Sequence, residues 1–148
     1  MMRTFPLKTV ILVLAVLVTT QASALWVDVE FVGSFDIAAM SNYNWDKGTP
    51  APNREVELAL RQSVDAQLAK KGYTKTDGPA DFLVAIHVVK DDSFSAGVIR
   101  IEAYEWETHD TMWRGRAEGV VSTQSTGKRK TLASRTVNKM FKKFPDKR

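Results

Sequence analysis

The stretch Gly97–Val120, GVIRIEAYEWETHDTMWRGRAEGV, predicts a β-hairpin that decides the fold. Because side chains alternate along a strand, its first arm has an apolar face of Ile99, Ile101 and Ala103. The opposite face of that arm carries Arg100, Glu102 and Tyr104. A turn at Thr108, His109 and Asp110 leads into the second arm, which begins at Thr111. The small, apolar face of this arm consists of Trp113, Gly115, Ala117 and Gly119, and its other face of Met112, Arg114, Arg116 and Glu118. Helices from elsewhere in the chain can therefore pack closely on one side of the hairpin.

Two other stretches have the periodicity of helices that bury one face. Asn53 is a good N-cap for the first helix, and Gly72 can adopt the left-handed conformation that ends it. The apolar residues of this helix recur every four positions, at Val56, Leu60, Val64 and Leu68. The second helix is predicted over Lys128–Phe144, and Pro145 ends it. Its apolar stripe consists of Ala133, Val137, Met140, Phe141 and Phe144.

Three further segments predict strands. Trp26–Phe35 begins with alternating apolar and acidic residues, which indicates a half-buried strand. Tyr43–Trp45 is a candidate short edge strand, and Phe82–Val89 is apolar on both faces, as expected of a central strand.

This order of elements favours an α+β fold, a two-layer sandwich with a mostly antiparallel sheet and two helices on one face. The first strand–helix–strand passage allows a right-handed crossover between parallel neighbours. We expect one shared core that contains Leu60, Val64, Ile86, Ile101, Val137 and Phe141.

The first residues predict a secretory signal peptide, residues 1–24, so that residues 25–148 form a single α+β domain. Arg3 and Lys8 supply a positive start, Val10–Val18 is an uninterrupted apolar run, and Ala22–Ala24 is an Ala-x-Ala cleavage pattern. That run is shorter than the ~20 residues that span a bilayer, so no transmembrane span is expected after cleavage. An uncleaved anchor is the alternative. Cleavage would deliver the protein to the periplasm.

The absence of cysteine and the uneven charge limit the kinds of function. The chain has no cysteine, which excludes disulfides, thiolate metal ligands and lipidation at a lipobox, so we expect an exported protein that is not lipidated. Lys128–Arg148 carries nine basic residues and one acidic residue, Asp146. Residues 25–127 carry ten basic and sixteen acidic residues. A basic C-terminal element is therefore attached to an acidic body, and a search for partners starts at this element.

Four stretches of the mature chain resemble those of a known family. They are Asp36-Ile37 with Tyr43-Asn44-Trp45, Lys71-Gly72-Tyr73 with Ala80–Val84, Met112–Gly115, and a last helix closing in Phe144-Pro145. In order and spacing they resemble domain-of-unknown-function family 4136, small bacterial envelope proteins that are often lipoproteins. This chain departs from the family in three features: it has Ile37 in place of a phenylalanine, it lacks the lipobox cysteine, and it carries Glu105 and Trp106 before the hairpin turn. The resemblance implies an α+β fold and an envelope location, and it implies no activity.

Few residues are arranged for catalysis. His87 lies in an apolar strand, where we expect its ring nitrogens to be satisfied locally, and His109 belongs to the hairpin turn. Two histidines so far apart do not predict a zinc site, and neither a P-loop nor a Gly-x-Gly-x-x-Gly motif occurs, so no metal, cofactor or catalytic residue is assigned. Glu105 and Glu107 share a face of the hairpin tip. A hydrolase that acts on an envelope polymer through these carboxylates is therefore the alternative function.

Two surfaces are candidates for binding. On the hairpin, Trp106, Arg114 and Arg116 are expected to share the outward face, where an arginine over the tryptophan would form a cation–π pair. On the last helix, Arg135, Lys139, Lys142 and Lys143 are expected to form one exposed positive strip opposite the apolar stripe. The favoured function is a non-catalytic binding or accessory module of the periplasm. Its expected partner is an envelope protein, an anionic lipid or an acidic polymer, and not a nucleic acid, which is rarely available after export. Nothing in the pattern specifies an oligomeric state.

Overall fold

The computed structural model describes residues 26–90, 96–120 and 125–148, and the predicted signal peptide lies outside these ranges. A short 3-10 turn, Ile37–Ala39, precedes the second strand. The elements in chain order are β1 (Trp26–Phe31), β2 (Asn42–Trp45), α1 (Arg54–Lys70), β3 (Thr74–Lys75), β4 (Phe82–Lys90), β5 (Ala96–Glu105), β6 (Thr111–Val120) and α2 (Thr126–Phe141).

The six strands form one mixed sheet in the order β1-β6-β5-β4-β2-β3. The pairs β1–β6, β6–β5 and β5–β4 are antiparallel, whereas β2 is parallel to both β4 and β3. The two helices contact each other, and α2 also contacts β1 and β6. The predicted α+β class, with a mostly antiparallel sheet and a helical layer on it, is confirmed.

The strands at the two ends of the sheet differ from the predicted arrangement. β1 ends at Phe31 instead of Phe35, because the chain turns at Gly33, whose φ of 72° lies in the left-handed region. The predicted edge strand at Tyr43–Trp45 is wrong in its position, since β2 lies between β4 and the two-residue β3. The predicted polar connection after α1 contains β3 because Tyr73, only 3% exposed, anchors this segment in the core. The parallel neighbours on either side of α1 are therefore β2 and β4, and β1 lies at the far edge.

Both helices have side-chain N-caps. The Asn53 Oδ1 atom accepts hydrogen bonds from the Glu55 and Val56 amides at 2.9 and 3.3 Å, and Gly72, with φ 97°, follows the end of α1 as predicted. The predicted start and end of α2 shift toward the N-terminus, because Ser125 caps the Lys128 amide. The helix ends at Phe141, and Phe144 lies in the turn that follows, where its side chain is still buried.

The core lies between the helices and one face of the sheet. All six residues predicted for it are buried, none more than 2% exposed. The Trp113 ring packs 5.0 Å from the rings of both Phe141 and Phe144. A Cβ added at Gly115 would lie 2.9 Å from the Trp113 ring and 3.0 Å from the Met140 sulfur, so α2 packs directly against the small residue of β6. The small face of the hairpin therefore seats the C-terminal helix, as its sequence predicts.

Met112 of the hairpin does not follow the alternation of side chains between the two faces of the sheet. Ala103 pairs with Trp113 and Tyr104 pairs with Thr111, so a bulge leaves Met112 without a partner opposite it. Met112 is only 1% exposed, although it was predicted to share the outward face with Arg114. The bulge interrupts alternation, and both Met112 and Trp113 are buried.

Candidate functional site

The sheet face opposite the helices carries charges aligned across several strands. Cross-strand pairing places Glu30, Arg114 and Glu102 in one row, and Asp28, Arg116, Arg100 and His87 in the next. The acidic Asp28 and Glu30 of β1 lie beside the basic Arg114 and Arg116 of β6, and β5 contributes Glu102 and Arg100. Each arginine on this face therefore has a carboxylate within reach. The arginines of this face and their acidic partners neutralise each other within the protein.

Glu102 is the centre of this network and is only 5% exposed. Its Oε1 atom accepts a 2.6 Å hydrogen bond from Arg114 Nε, its Oε2 atom accepts one from the Tyr104 hydroxyl, and Arg100 Nε lies 3.3 Å away. Burial alone would raise the pKa of the Glu102 carboxyl, but these hydrogen bonds and the two arginine charges outweigh it and hold the pKa below its ordinary value. Burial and the hydrogen bond to Glu102 raise the pKa of the Tyr104 hydroxyl. Glu102 is therefore ionised at neutral pH and neutralises its neighbours.

The predicted hairpin binding face is only partly assembled. Arg114 is paired with Glu102 and Glu30, and Arg116 is paired with Glu118. The tryptophan under Arg116 is Trp26 of β1, with 5.9 Å between the guanidinium carbon and the ring centroid. The sequence placed Trp26 in the first strand but did not assign it to the arginine face, although the alternation of β1 puts it on the same face as Asp28 and Glu30. The charges of Arg114 and Arg116 are thus matched within the fold.

Trp106 lies instead at the tip of the hairpin, beside a different set of residues. It lines a shallow groove of about 440 Å³, together with Asp36, Met40, Asp81, Glu105 and Glu107. Its backbone N–H donates to the Asp81 carbonyl at 3.4 Å. Asp81 in turn accepts from the Ser41 and Asn42 amides at 2.7 and 3.2 Å, so its carboxylate secures the start of β2.

At the hairpin tip, Glu105 does not have the property that the general acid of the alternative hydrolase requires. The Glu105 Oε2 atom accepts from the amide and the hydroxyl of Thr108 at 2.6 and 2.9 Å, and so closes the hairpin turn. The hydrogen bonds from the Thr108 backbone and hydroxyl hold the pKa of Glu105 below its ordinary value. A general acid in glycoside hydrolysis needs a raised pKa, which is the opposite direction. Glu105 therefore acts as a turn-stabilising residue.

One of the two ring nitrogens of His87 has a local hydrogen-bond partner, whereas the sequence predicted local partners for both. Its Nδ1 atom lies 3.3 Å from the Thr49 hydroxyl, and its Nε2 atom lies 3.6 Å from Glu102 Oε2. This order of hydroxyl, imidazole and carboxylate resembles a nucleophile–base–acid arrangement. However, 3.6 Å is too long for a hydrogen bond, and the Glu102 carboxylate is already held by Arg114 and Tyr104. The arrangement links the loop before α1 to β4.

The outer face of α2 and the turn after it carry a group of like charges. All four predicted residues, Arg135, Lys139, Lys142 and Lys143, are exposed, and α2 itself contains no acidic residue. Lys128 is exposed as well and shares their side of the helix at about 100° per residue. We call these five residues the basic strip. Its position was predictable because helical periodicity is local, whereas the partners of the hairpin arginines depend on β1.

Metal-ligand clusters and membrane-spanning helices are both absent from the described ranges. In residues 26–90, 96–120 and 125–148, no three His, Asp or Glu side chains are grouped so that they could hold a metal ion. Within these same ranges, no helix is long and apolar enough to cross a membrane.

The comparison with family models decides the affiliation of the chain. The model of the domain of unknown function DUF4136 matches residues 27–146, which include every strand and helix after the first residue of β1. The chain belongs to this family. Membership in DUF4136 confirms the resemblance stated from the sequence motifs, and it brings no reaction with it. No curated protein matches the chain.

Solved structures show the same fold at low identity. The DUF4136 chain is similar to the PelC dodecamer from Paraburkholderia phytofirmans, with a TM-score of 0.58 and 8% identity over 84% of this chain and 99% of that chain. It is also similar to a PDZ domain protein from Parabacteroides distasonis, with a TM-score of 0.65 and 12% identity over 85% of this chain and 37% of that chain. At such identities the likeness concerns the fold alone.

Proposed function

We propose that this DUF4136 protein is a non-catalytic binding module of the bacterial envelope that holds an anionic partner on the basic strip of α2. Two features support export to the periplasm: the positive start and apolar run before Ala24, and the envelope location that the family resemblance implies. The absence of cysteine favours a protein without a lipid anchor.

The observation that carries the proposal is the grouping of five exposed cations on one side of α2 and the turn after it. The sheet face opposite the helices is called the open sheet face. On it, Arg114 and Arg116 are paired with Glu30, Glu102 and Glu118. The basic strip lies on a helix that has no acidic residue between Thr126 and Phe141. Like charges held on one face repel each other, and a bound anion relieves that repulsion.

The cations of the basic strip contribute little to the stability of the fold. Exposed ion pairs contribute only about 0–1 kcal/mol each, and the buried residues that hold α2 on the sheet are apolar, apart from Thr136. Replacement of the strip should therefore leave the fold intact. A loss of binding in such a variant then reports on the surface and not on unfolding.

The test is the quadruple variant in which Arg135, Lys139, Lys142 and Lys143 are converted to Gln, measured against dextran sulfate as the anionic probe. A matched control converts four cations elsewhere, Lys47, Arg54, Lys75 and Arg116, and lowers the net charge by the same amount. We expect the strip variant to weaken binding by roughly several hundredfold at low salt, since each of the four cations contributes roughly fivefold at an anionic surface. The control should retain most of the wild-type affinity, and added salt should weaken wild-type binding. Equal losses in both variants, or no wild-type binding at low salt, would contradict the proposal.

A further inference from the structure

The strand β1 forms one edge of the sheet and leaves part of its backbone unpaired. The Val32 amide donates to the Met112 carbonyl at 2.9 Å, in the register that continues the pairing of β1 with β6. Antiparallel pairing directs both backbone groups of every second residue to the same neighbour, so the even-numbered residues of β1 bond to β6. The N–H and C=O groups of Val27, Val29 and Phe31 therefore point outward, and no backbone hydrogen bond within the described part of the chain reaches them there.

The side chains of β1 are uncovered on both faces of this edge. Trp26 is 51% exposed on the open sheet face, and Phe31 is 54% exposed on the helix side. Val27 and Val29 pack against the core but are only half-buried. A strand added beside β1 would cover apolar surface at Val29 and Phe31 and would also pair the free backbone groups.

One carboxylate on the open sheet face at this edge has no partner. The arginines of β5 and β6 are bound to Glu102, Glu30 and Glu118. Within the described residues no ion pair reaches Asp28, which lies in the middle of β1 and is exposed. Because its own backbone groups point to β6, Asp28 is at a non-hydrogen-bonded position for an added antiparallel strand, where opposite side chains come closest. A basic residue of the added strand would lie directly opposite Asp28.

A second copy of β1 does not suit this edge. In one of the two registers that pair most of β1 with itself in antiparallel fashion, Asp28 lies opposite the Asp28 of the second copy. In the other register, Asp28 lies opposite Glu30. Like charges directly opposite each other destabilise a pair of strands, so the acidic residues disfavour self-pairing and favour a basic strand.

We infer that β1 is the docking edge for an extended segment of a partner protein in which basic residues alternate with apolar ones. The segment continues the sheet as an antiparallel strand, with basic side chains opposite Asp28 and Glu30 and apolar side chains beside Val29 and Phe31. A polypeptide fits this edge because its backbone pairs with the free N–H and C=O groups and places a cation at every second position. The edge is separate from the basic strip of α2, so the inference goes beyond the proposed function.

The test uses the labelled synthetic peptide Thr-Lys-Val-Lys-Val-Lys-Thr and the mature protein, with fluorescence anisotropy for affinity and hydrogen exchange for location. The amides of Val27, Val29 and Phe31 should gain protection on binding, because they become donors to the added strand. The control peptide is N-methylated at both valines, which keeps its charge and removes the N–H groups that bond to β1. It should bind more weakly by roughly tenfold or more.

Two protein variants separate strand pairing from general electrostatics. Val29→Pro removes an outward N–H and should keep the fold, since proline is tolerated on an edge strand where the N–H faces solvent. Its peptide affinity should fall by roughly tenfold, whereas Val29→Thr keeps the N–H and should bind like the wild type. Asp28→Lys should also weaken binding by roughly tenfold, and it covers the case of a proline variant that does not fold. Asp77→Lys makes the same charge change in an exposed loop after β3, at the other edge of the sheet, and should have little effect.

Several results would overturn the inference. They are no binding at millimolar peptide, equal binding of the N-methylated peptide, and protection that appears away from β1. A dimer in light scattering that Val29→Pro abolishes would assign the edge to a second copy and also overturn it. None of these measurements involves the basic strip, so their failure leaves the proposed function standing.

Discussion

Substitution of Glu102 by Gln tests whether the charges on the open sheet face stabilise the fold, as expected of a structural network and not of a binding site. The variant keeps the size of the side chain and removes its negative charge. Arg114 Nε then loses its charged acceptor at 2.6 Å, and Arg100, whose Nε lies 3.3 Å from the carboxylate, keeps a positive charge with no counter-ion there. We expect the fold to be destabilised, since Glu102 is only 5% exposed.

The size of the effect follows from the exposure of the two arginines. Removal of one partner of a fully buried ion pair costs about 3–5 kcal/mol. Here the arginine side chains are 43% and 38% exposed, so water compensates part of the loss. We therefore expect the free energy of unfolding to fall by about 1–3 kcal/mol at neutral pH. Glu118→Gln is the matched control, because Glu118 and its partner Arg116 are 44% and 45% exposed, and its loss should stay within about 0–1 kcal/mol.

Urea unfolding at several pH values measures both the size and the pH dependence. The pKa of Glu102 is lower in the fold than in the unfolded chain, where it is about 4.3. Its contribution is therefore complete above that value and disappears as the pH falls through the folded pKa. The difference between wild type and Glu102→Gln should be constant near neutrality and shrink below about pH 4. A neutral-pH difference no larger than that of Glu118→Gln would refute the reasoning.

Three further outcomes follow from the fold and the sequence. Phe141→Ala should lower the free energy of unfolding by about 3–5 kcal/mol in a denaturant titration, because the side chain is 1% exposed and packs on Trp113; a barely detectable change would contradict this packing. Gly48→Ala should cost at least about 2 kcal/mol in thermal or urea unfolding, since its Cβ would lie 1.8 Å from a backbone oxygen, whereas Gly78→Ala meets no atom within 4 Å and should be nearly neutral. N-terminal sequencing of the exported protein should begin at Leu25, and a product that begins at Met1 would contradict signal cleavage.

Features set by local periodicity could be predicted from the sequence. The hairpin followed from alternation, and the Asn53 cap with the left-handed Gly72 followed from residue type. The basic strip could be predicted from the same helical period that identifies Val137 and Phe141 as buried. Once the residues of the buried face are known, the period also gives the residues of the exposed face.

Features set by long-range pairing could not be predicted in this way. The burial of Met112 depends on a bulge that appears only when β5 and β6 are placed in register. Arg116 lies over Trp26 and not Trp106, because β1 pairs with β6 from the opposite end of the chain. The internal position of β2 required a two-residue strand beyond it, and two residues carry too little periodicity to be recognised.

The central claim, that the basic strip of α2 holds an anionic partner, is tested most directly by mapping where an anion binds. The measurement is an NMR titration of the ¹⁵N-labelled mature protein with dextran sulfate at low salt, with amide shifts assigned along the chain. We expect the largest shifts between Lys128 and Lys143, and their reversal on addition of salt. Shifts concentrated around Arg114 and Arg116 on the open sheet face, with α2 unperturbed, would contradict it.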